Sequence, residues 1–164
     1  MRLIDRLQIS SGVLPVNLAT AANDGDWVSL KKAERCLVVF FKAIGTAGDD
    51  PTLTMEQATA AAGTGAKALT FTRIYKKQGA DLFAIGQFTE VTQAAAATYT
   101  NDTSAEEQAI WCVEIKGDDL DVNSGFCFIR ARVADIGANA QLGCILYIHD
   151  GFRYVEQALP SVIA

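Results

Sequence analysis

The chain has 164 residues, half of them hydrophobic and a fifth charged, with a net charge of −5 at pH 7. A chain of this size can bury roughly 70% of the surface its unfolded form exposes, so neither a metal nor a disulfide is required for folding. The acidic balance argues against nucleic acid as a partner, because a broad binding surface needs clustered Lys and Arg.

Residues 1–12 read as a short N-terminal arm with Leu3, Ile4 and Leu7 at helical spacing. Asp5 and Arg6 interrupt any secretory apolar core there. The longest hydrophobic run, residues 36–41, is too short for a bilayer. A product made in the cytoplasm, with no membrane partner, is therefore expected. Residues 13–19 form the first expected strand. A turn at Asn23-Asp24-Gly25-Asp26 precedes a short strand at 27–30. Residues 35–43 make a strong strand that is apolar on both faces. Residues 45–51 form a loop, and 51–59 alternate weakly around Leu53 and Met55. In residues 68–76, Leu69 and Phe71 share a phase from which Ile74 departs, which implies a bulge or a strand end. A short strand at 88–92 precedes alanines 94–97, read as a helical turn or loop. Strands at 108–116, 126–135 and 141–150 follow. The apolar tail 151–164 is expected to dock on a surface. The spacing of strands and turns predicts an all-β domain over residues 13–150, an antiparallel β-sandwich or jelly roll of about eight strands.

Several segments imitate chemistry without its spacing. His149 is the one histidine, with no G-x-S-x-G elbow and no second histidine, so no catalytic or metal role is assigned to it. Gly63-Thr64-Gly65-Ala66-Lys67-Ala68 lacks the G-x-x-x-x-G-K-[ST] spacing and leads into a strand, hence a turn. Asp119, Asp121 and Asn123 alternate as in a calcium loop. Gly125 falls one place late, however, and Arg130 stands where a bidentate Glu belongs. Asn101-Asp102-Thr103 is a glycosylation sequon without a secretory context. Cys36, Cys112, Cys127 and Cys144 lie at long, irregular spacings inside apolar runs. They read as buried free thiols, with an interstrand disulfide as the alternative. No cofactor and no catalytic residue is expected.

The late strands are more informative. Residues 126–133 carry Cys127, Ile129, Ala131 and Val133 on one face and Phe126, Phe128, Arg130 and Arg132 on the other. Residues 142–148 carry Leu142, Cys144, Leu146 and Ile148 on one face, with Ile145, Tyr147 and His149 on the other. A hairpin through Gly137-Ala138-Asn139 would pair the two. Apolarity on both sides of a strand means cover from the chain itself or an interface with another protein. The interface candidates are Leu3, Ile4, Leu7, Phe126, Phe128, Arg130, Arg132, Ile145, Tyr147, Leu159, Val162 and Ile163.

The runs GDWVSLKKAERCLVVFFKAIGTAGDDPTLTMEQATAAAGTGAKALTFTRIYKKQG (25–79) and AIWCVEIKGDDLDVNSGFCFIRARVADIGANAQLGCILYIHDGFRY (109–154) resemble virion structural proteins of tailed bacteriophages, of the capsid decoration or cement type. The resemblance lies in overall texture and carries no active-site motif. It implies a non-enzymatic β-rich subunit on the capsid surface whose partners are the major capsid protein and copies of itself. A head–tail connector or tail component is the nearest alternative. A carbohydrate-binding β-sandwich is the alternative of another class, with Trp27, Trp111 or Tyr154 stacking on sugar rings. Trp111 shares the phase of Val113 and Ile115, which points it at the core instead.

Overall fold

A computed structural model describes residues 2–152 and 161–163. Its strands, in chain order, are β1 (Gln8–Asn17), β2 (Asn23–Asp24), β3 (Val28–Ser29), β4 (Arg35–Lys42), β5 (Thr52–Ala58), β6 (Lys67–Ala68), β7 (Phe71–Gly79), β8 (Thr89–Ala96), β9 (Thr98–Thr100), β10 (Gln108–Lys116), β11 (Phe128–Val133) and β12 (Leu142–Asp150). Eight are six to ten residues long and four are short, and the described residues contain no α-helix. Sheet I runs β1-β12-β4-β10-β7-β8. Sheet II runs β2-β11-β5-β6, with β3 beside β11 and β9 beside β5. Every pairing is antiparallel. The expected antiparallel β-sandwich is what the chain forms, with twelve strands among the described residues where about eight were expected.

Alternation on the long strands builds the core. β4 sends Cys36, Val38 and Phe40 inward, β10 sends Trp111, Val113 and Ile115, and β12 sends Ile145 and Tyr147. Sheet II answers with Leu53 and Met55 of β5 and Ile129, Ala131 and Val133 of β11. Trp111 packs edge-on to Tyr99 at 4.8 Å between ring centroids and tilted to Phe40 at 5.4 Å, geometries that aromatic quadrupoles favour. Its indole N–H donates to Gln78 Oε1 at 3.1 Å. The Tyr147 hydroxyl crosses the sandwich to accept the Ala131 backbone N–H at 2.8 Å. Gly25 lies against that strut: a Cβ there would meet the Ala131 carbonyl and stand 2.7 Å from the Tyr147 hydroxyl.

Several expectations are corrected. The segments 126–133 and 141–150 form no hairpin. β11 lies in sheet II beside β5 and β12 in sheet I between β1 and β4, so the two face each other across the core. The Tyr147–Ala131 bond requires that arrangement. The N-terminal arm is shorter than twelve residues, because Gln8–Ser11 already pair with β12 from His149 to Leu146. Alanines 94–96 are strand, held by pairing with β7. The phase slip at Ile74 is a register shift between Phe71 and Arg73, which lets Leu69, Phe71 and Ile74 all point inward. Gln93 accompanies it, its amide donating to the Phe71 and Thr98 carbonyls.

All four cysteines are free. Cys36 and Cys112 are buried, whereas Cys127 and Cys144 are only half-buried. Of the tail, residues 161–163 dock on the chain itself: the Ser29 N–H donates to the Val162 carbonyl at 2.9 Å and Ile163 bridges to Val28.

Candidate functional site

The segments that imitate catalytic or metal loops are used structurally. Gly63 and Gly65 take positive φ in a turn, and Lys67 beyond them pairs with Asp121 at 2.6 Å. Residues Gly117–Asp119 and Val122–Ser124 are two short 3-10 turns. Asp119 Oδ2 accepts the Lys116 N–H at 2.8 Å, and the ammonium of Lys67 holds the Asp121 carboxyl below its ordinary range. His149 lies fully buried beside Cys36 of β4 and Gln8 of β1, without a well-formed hydrogen bond at either ring nitrogen. Burial pulls its pKa down to about 4, partly offset by the Gln8 backbone. The buried Lys42 donates to the Ser104 and Glu107 carbonyls. Burial lowers its pKa to about 8 against the pull of Asp50, Glu107 and Glu106. Asp50 Oδ1 in turn accepts from Ser104 Oγ and the Ala105 N–H, so this network pins the loops at one end of the sandwich.

The outer faces of the two sheets differ in kind. On sheet II, Arg130 binds Glu56 at 2.5 Å and covers the Trp27 ring at 4.9 Å, and Arg132 binds Asp24 at 2.9 Å. Phe128 is buried beneath Lys31, and Lys67 lies 4.1 Å over the Phe126 ring. The chain's own charges therefore close the face on which Phe126, Phe128, Arg130 and Arg132 were placed as interface candidates. Ile145 and Tyr147 are corrected outright: both are buried in the inter-sheet core and present nothing to a partner. Val162 is likewise buried on its own chain, while Ile163 is exposed. Leu159 and Tyr154 lie outside the described residues. Leu3 and Ile4 are exposed on a 3-10 turn (Leu3–Asp5), with Leu7 half-buried behind it, and Arg6 ties the turn to Asp150 at 3.0 Å. Of the aromatics named for sugar stacking, Trp111 is fully buried and one face of Trp27 is taken by Arg130.

Sheet I leaves its outer face apolar on β1, β12 and β4, while toward β7 and β8 the same face carries Glu114, Arg73, Lys77 and Glu90. In register, Ile9, Ile148 and Leu37 form one row, Leu146, Val39 and Cys112 the next, and Cys144, Phe41 and Ile110 a third. Pro15, Phe41, Phe83, Leu142 and Cys144 then line a shallow groove of about 370 Å³ at one end. Phe83 is fully exposed, Leu14 70% and Leu142 60%; Phe41 and Ile9 are about half exposed and Leu146 over a third. These six amount to nearly four fully exposed large side chains, roughly 700 Å² at ~200 Å² each. The largest apolar patch on a typical monomer is about 300–600 Å². The sequence signal for this face was the second apolar phase of residues 142–148 and 35–43. What it lacked was the pairing that turns Leu142, Cys144 and Leu146 outward.

No protein-family model, no curated protein and no solved structure matches the chain.

Proposed function

We propose that the protein is a non-enzymatic structural subunit of a protein shell, a decoration protein that binds and stabilises the head of a tailed bacteriophage. The observation that carries this reading is the outer face of sheet I, apolar across three rows of paired strands. Strand-borne side chains are held by the sheet on both sides, so such a face is preorganised for burial against protein. Residues 25–79 and 109–154 supply the resemblance to capsid decoration proteins. The exposed turn bearing Leu3 and Ile4 offers a contact with the shell that is separate from that face. Many copies acting together give avidity from contacts that are individually weak.

The test is co-sedimentation of purified protein with expanded phage capsids, followed by heat or chaotrope challenge of the loaded shells. Bound protein and a raised disruption temperature are expected. Deleting residues 1–6, which leaves β1 intact, should weaken binding. Protein that stays in the supernatant at every ratio, or loaded shells no tougher than bare ones, would refute the reading.

A further inference from the structure

We propose that the outer face of sheet I is closed by the same face of a second copy, across a two-fold axis near Leu146. This rests on reading that face as a protein–protein surface, and it names the partner that covers it.

Three observations select a copy of this chain over another partner. The exposed apolar area, roughly 500 Å² on the strands and roughly 700 Å² with Phe83 of the adjoining 3-10 turn, approaches the ~800 Å² that each partner of a standard interface contributes. The face is a paired sheet, and sheets pack face to face at about 10 Å through interdigitating side chains, so one such face suits another. Most charges on this side pair within the chain: Arg6 with Asp150 at 3.0 Å, Arg35 with Glu34 at 2.8 Å and Glu114 at 4.0 Å, and Arg73 with Glu90 at 3.6 Å, while Lys77 lies over the Phe88 ring. The outward rows of β1, β12 and β4 therefore hold no unpaired charge, and a second copy seated on those three strands meets little like-charge repulsion. A strongly acidic or basic partner would find no complementary field there. Two-fold closure follows because identical patches bury each other only in an isologous arrangement. Leu146 lies in the middle row, between the Ile148–Leu37 row and the Cys144–Phe41 row, which places the axis near it. The turn bearing Leu3 and Ile4 stays at the border, free to meet a shell.

The experiment is sedimentation equilibrium of the whole chain and of two variants, Leu146→Lys and Leu146→Glu. The wild type should be a dimer at about 10 μM, a concentration ordinary transient interfaces reach. Each variant should be folded by circular dichroism and monomeric. A truncated central contact costs about 30-fold, and it applies twice in a symmetric dimer. An equimolar mixture of the two variants should recover dimer, because lysine on one copy then faces glutamate on the other. A monomeric wild type, a variant that dimerises normally, or a mixture that stays monomeric would each overturn the proposal. Should the Leu146 variants fail to fold, Leu142→Glu repeats the test at a more exposed position, and an undiminished dimer there overturns it as well. The functional reading fails separately: a dimer that binds no capsid refutes the decoration role alone, and a monomer that still binds capsids refutes the dimer alone.

Discussion

Acidification should destabilise the fold through His149. The side chain is fully buried between β1 and β4, and burial brings its pKa from 6.5 to about 4. Between those values the unfolded chain binds a proton that the folded chain does not, so stability falls as pH falls through this window. The full separation corresponds to about 3 kcal/mol, of which about 2 is lost by pH 5. That is a large share of a typical stability of about 5–15 kcal/mol. Urea denaturation at pH 7.5 and pH 5 measures it: with a slope of about 2 kcal/mol/M, the midpoint should drop by about 1 M. Carboxylates also titrate, so the comparison is with His149→Leu, which keeps the volume and removes the titration. The variant should lose about 1 M less than the wild type over the same interval. The sequence has one histidine, so its proton resonance is unambiguous in the native spectrum. A native resonance titrating near 6.5, or equal pH sensitivity in wild type and variant, would refute the burial argument.

Tyr147→Phe leaves the buried Ala131 N–H without its acceptor and should cost about 1–3 kcal/mol in denaturant, whereas a loss under 0.5 would show that the strut contributes little. Gly25→Ala drives a methyl into the Ala131 carbonyl and the Tyr147 hydroxyl, and should destabilise by about 1–3 kcal/mol with a matching fall in Tm. Burial raises the pKa of the Cys36 thiol, and that of Cys112 to about 11, so a thiol reagent should label half-buried Cys127 and Cys144 first and reach the others only on unfolding. Cys144 lies on the outer face of sheet I, so its labelling in the dimer should be slower than in Leu146→Lys, and equal rates would place the contact elsewhere.

Much of the sandwich was legible because its strands are long and alternate. Residues 108–116 carry Trp111, Val113 and Ile115 in one phase, and that phase is the core. The disagreements have local causes. Alanines 94–96 favour helix in isolation, yet β7 pairs on both sides of them, Phe71 with Ala96 and Arg73 with Thr92, which holds them as strand. Gln8–Ser11 look like an arm until β12 is beside them, since Ile9 and Ser11 face outward and only Ser10 is buried there. The Tyr147 strut joins residues sixteen apart in sequence, and no local pattern announces it.

The site was half legible for a sharper reason. Residues 126–133 and 142–148 both show two apolar or half-apolar phases, and alternation alone cannot say which phase faces out. That choice is made by partners distant in the chain. On β11 the outward phase holds Arg130 and Arg132, which find Glu56 on β5 and Asp24 on β2, so the sheet satisfies its own charges. On β12 the Tyr147 phase is committed inward by its bond to Ala131, which leaves Leu142, Cys144 and Leu146 outside. The flanking strands do not rescue them, for β4 places Val39 and Phe41, and β10 Ile110, in the same outward rows, with Cys112 buried among them. Two sheets of similar composition thus end with opposite surfaces. One is closed by ion pairs and by lysines over phenylalanine rings, and the other keeps its apolar rows on β1, β12 and β4.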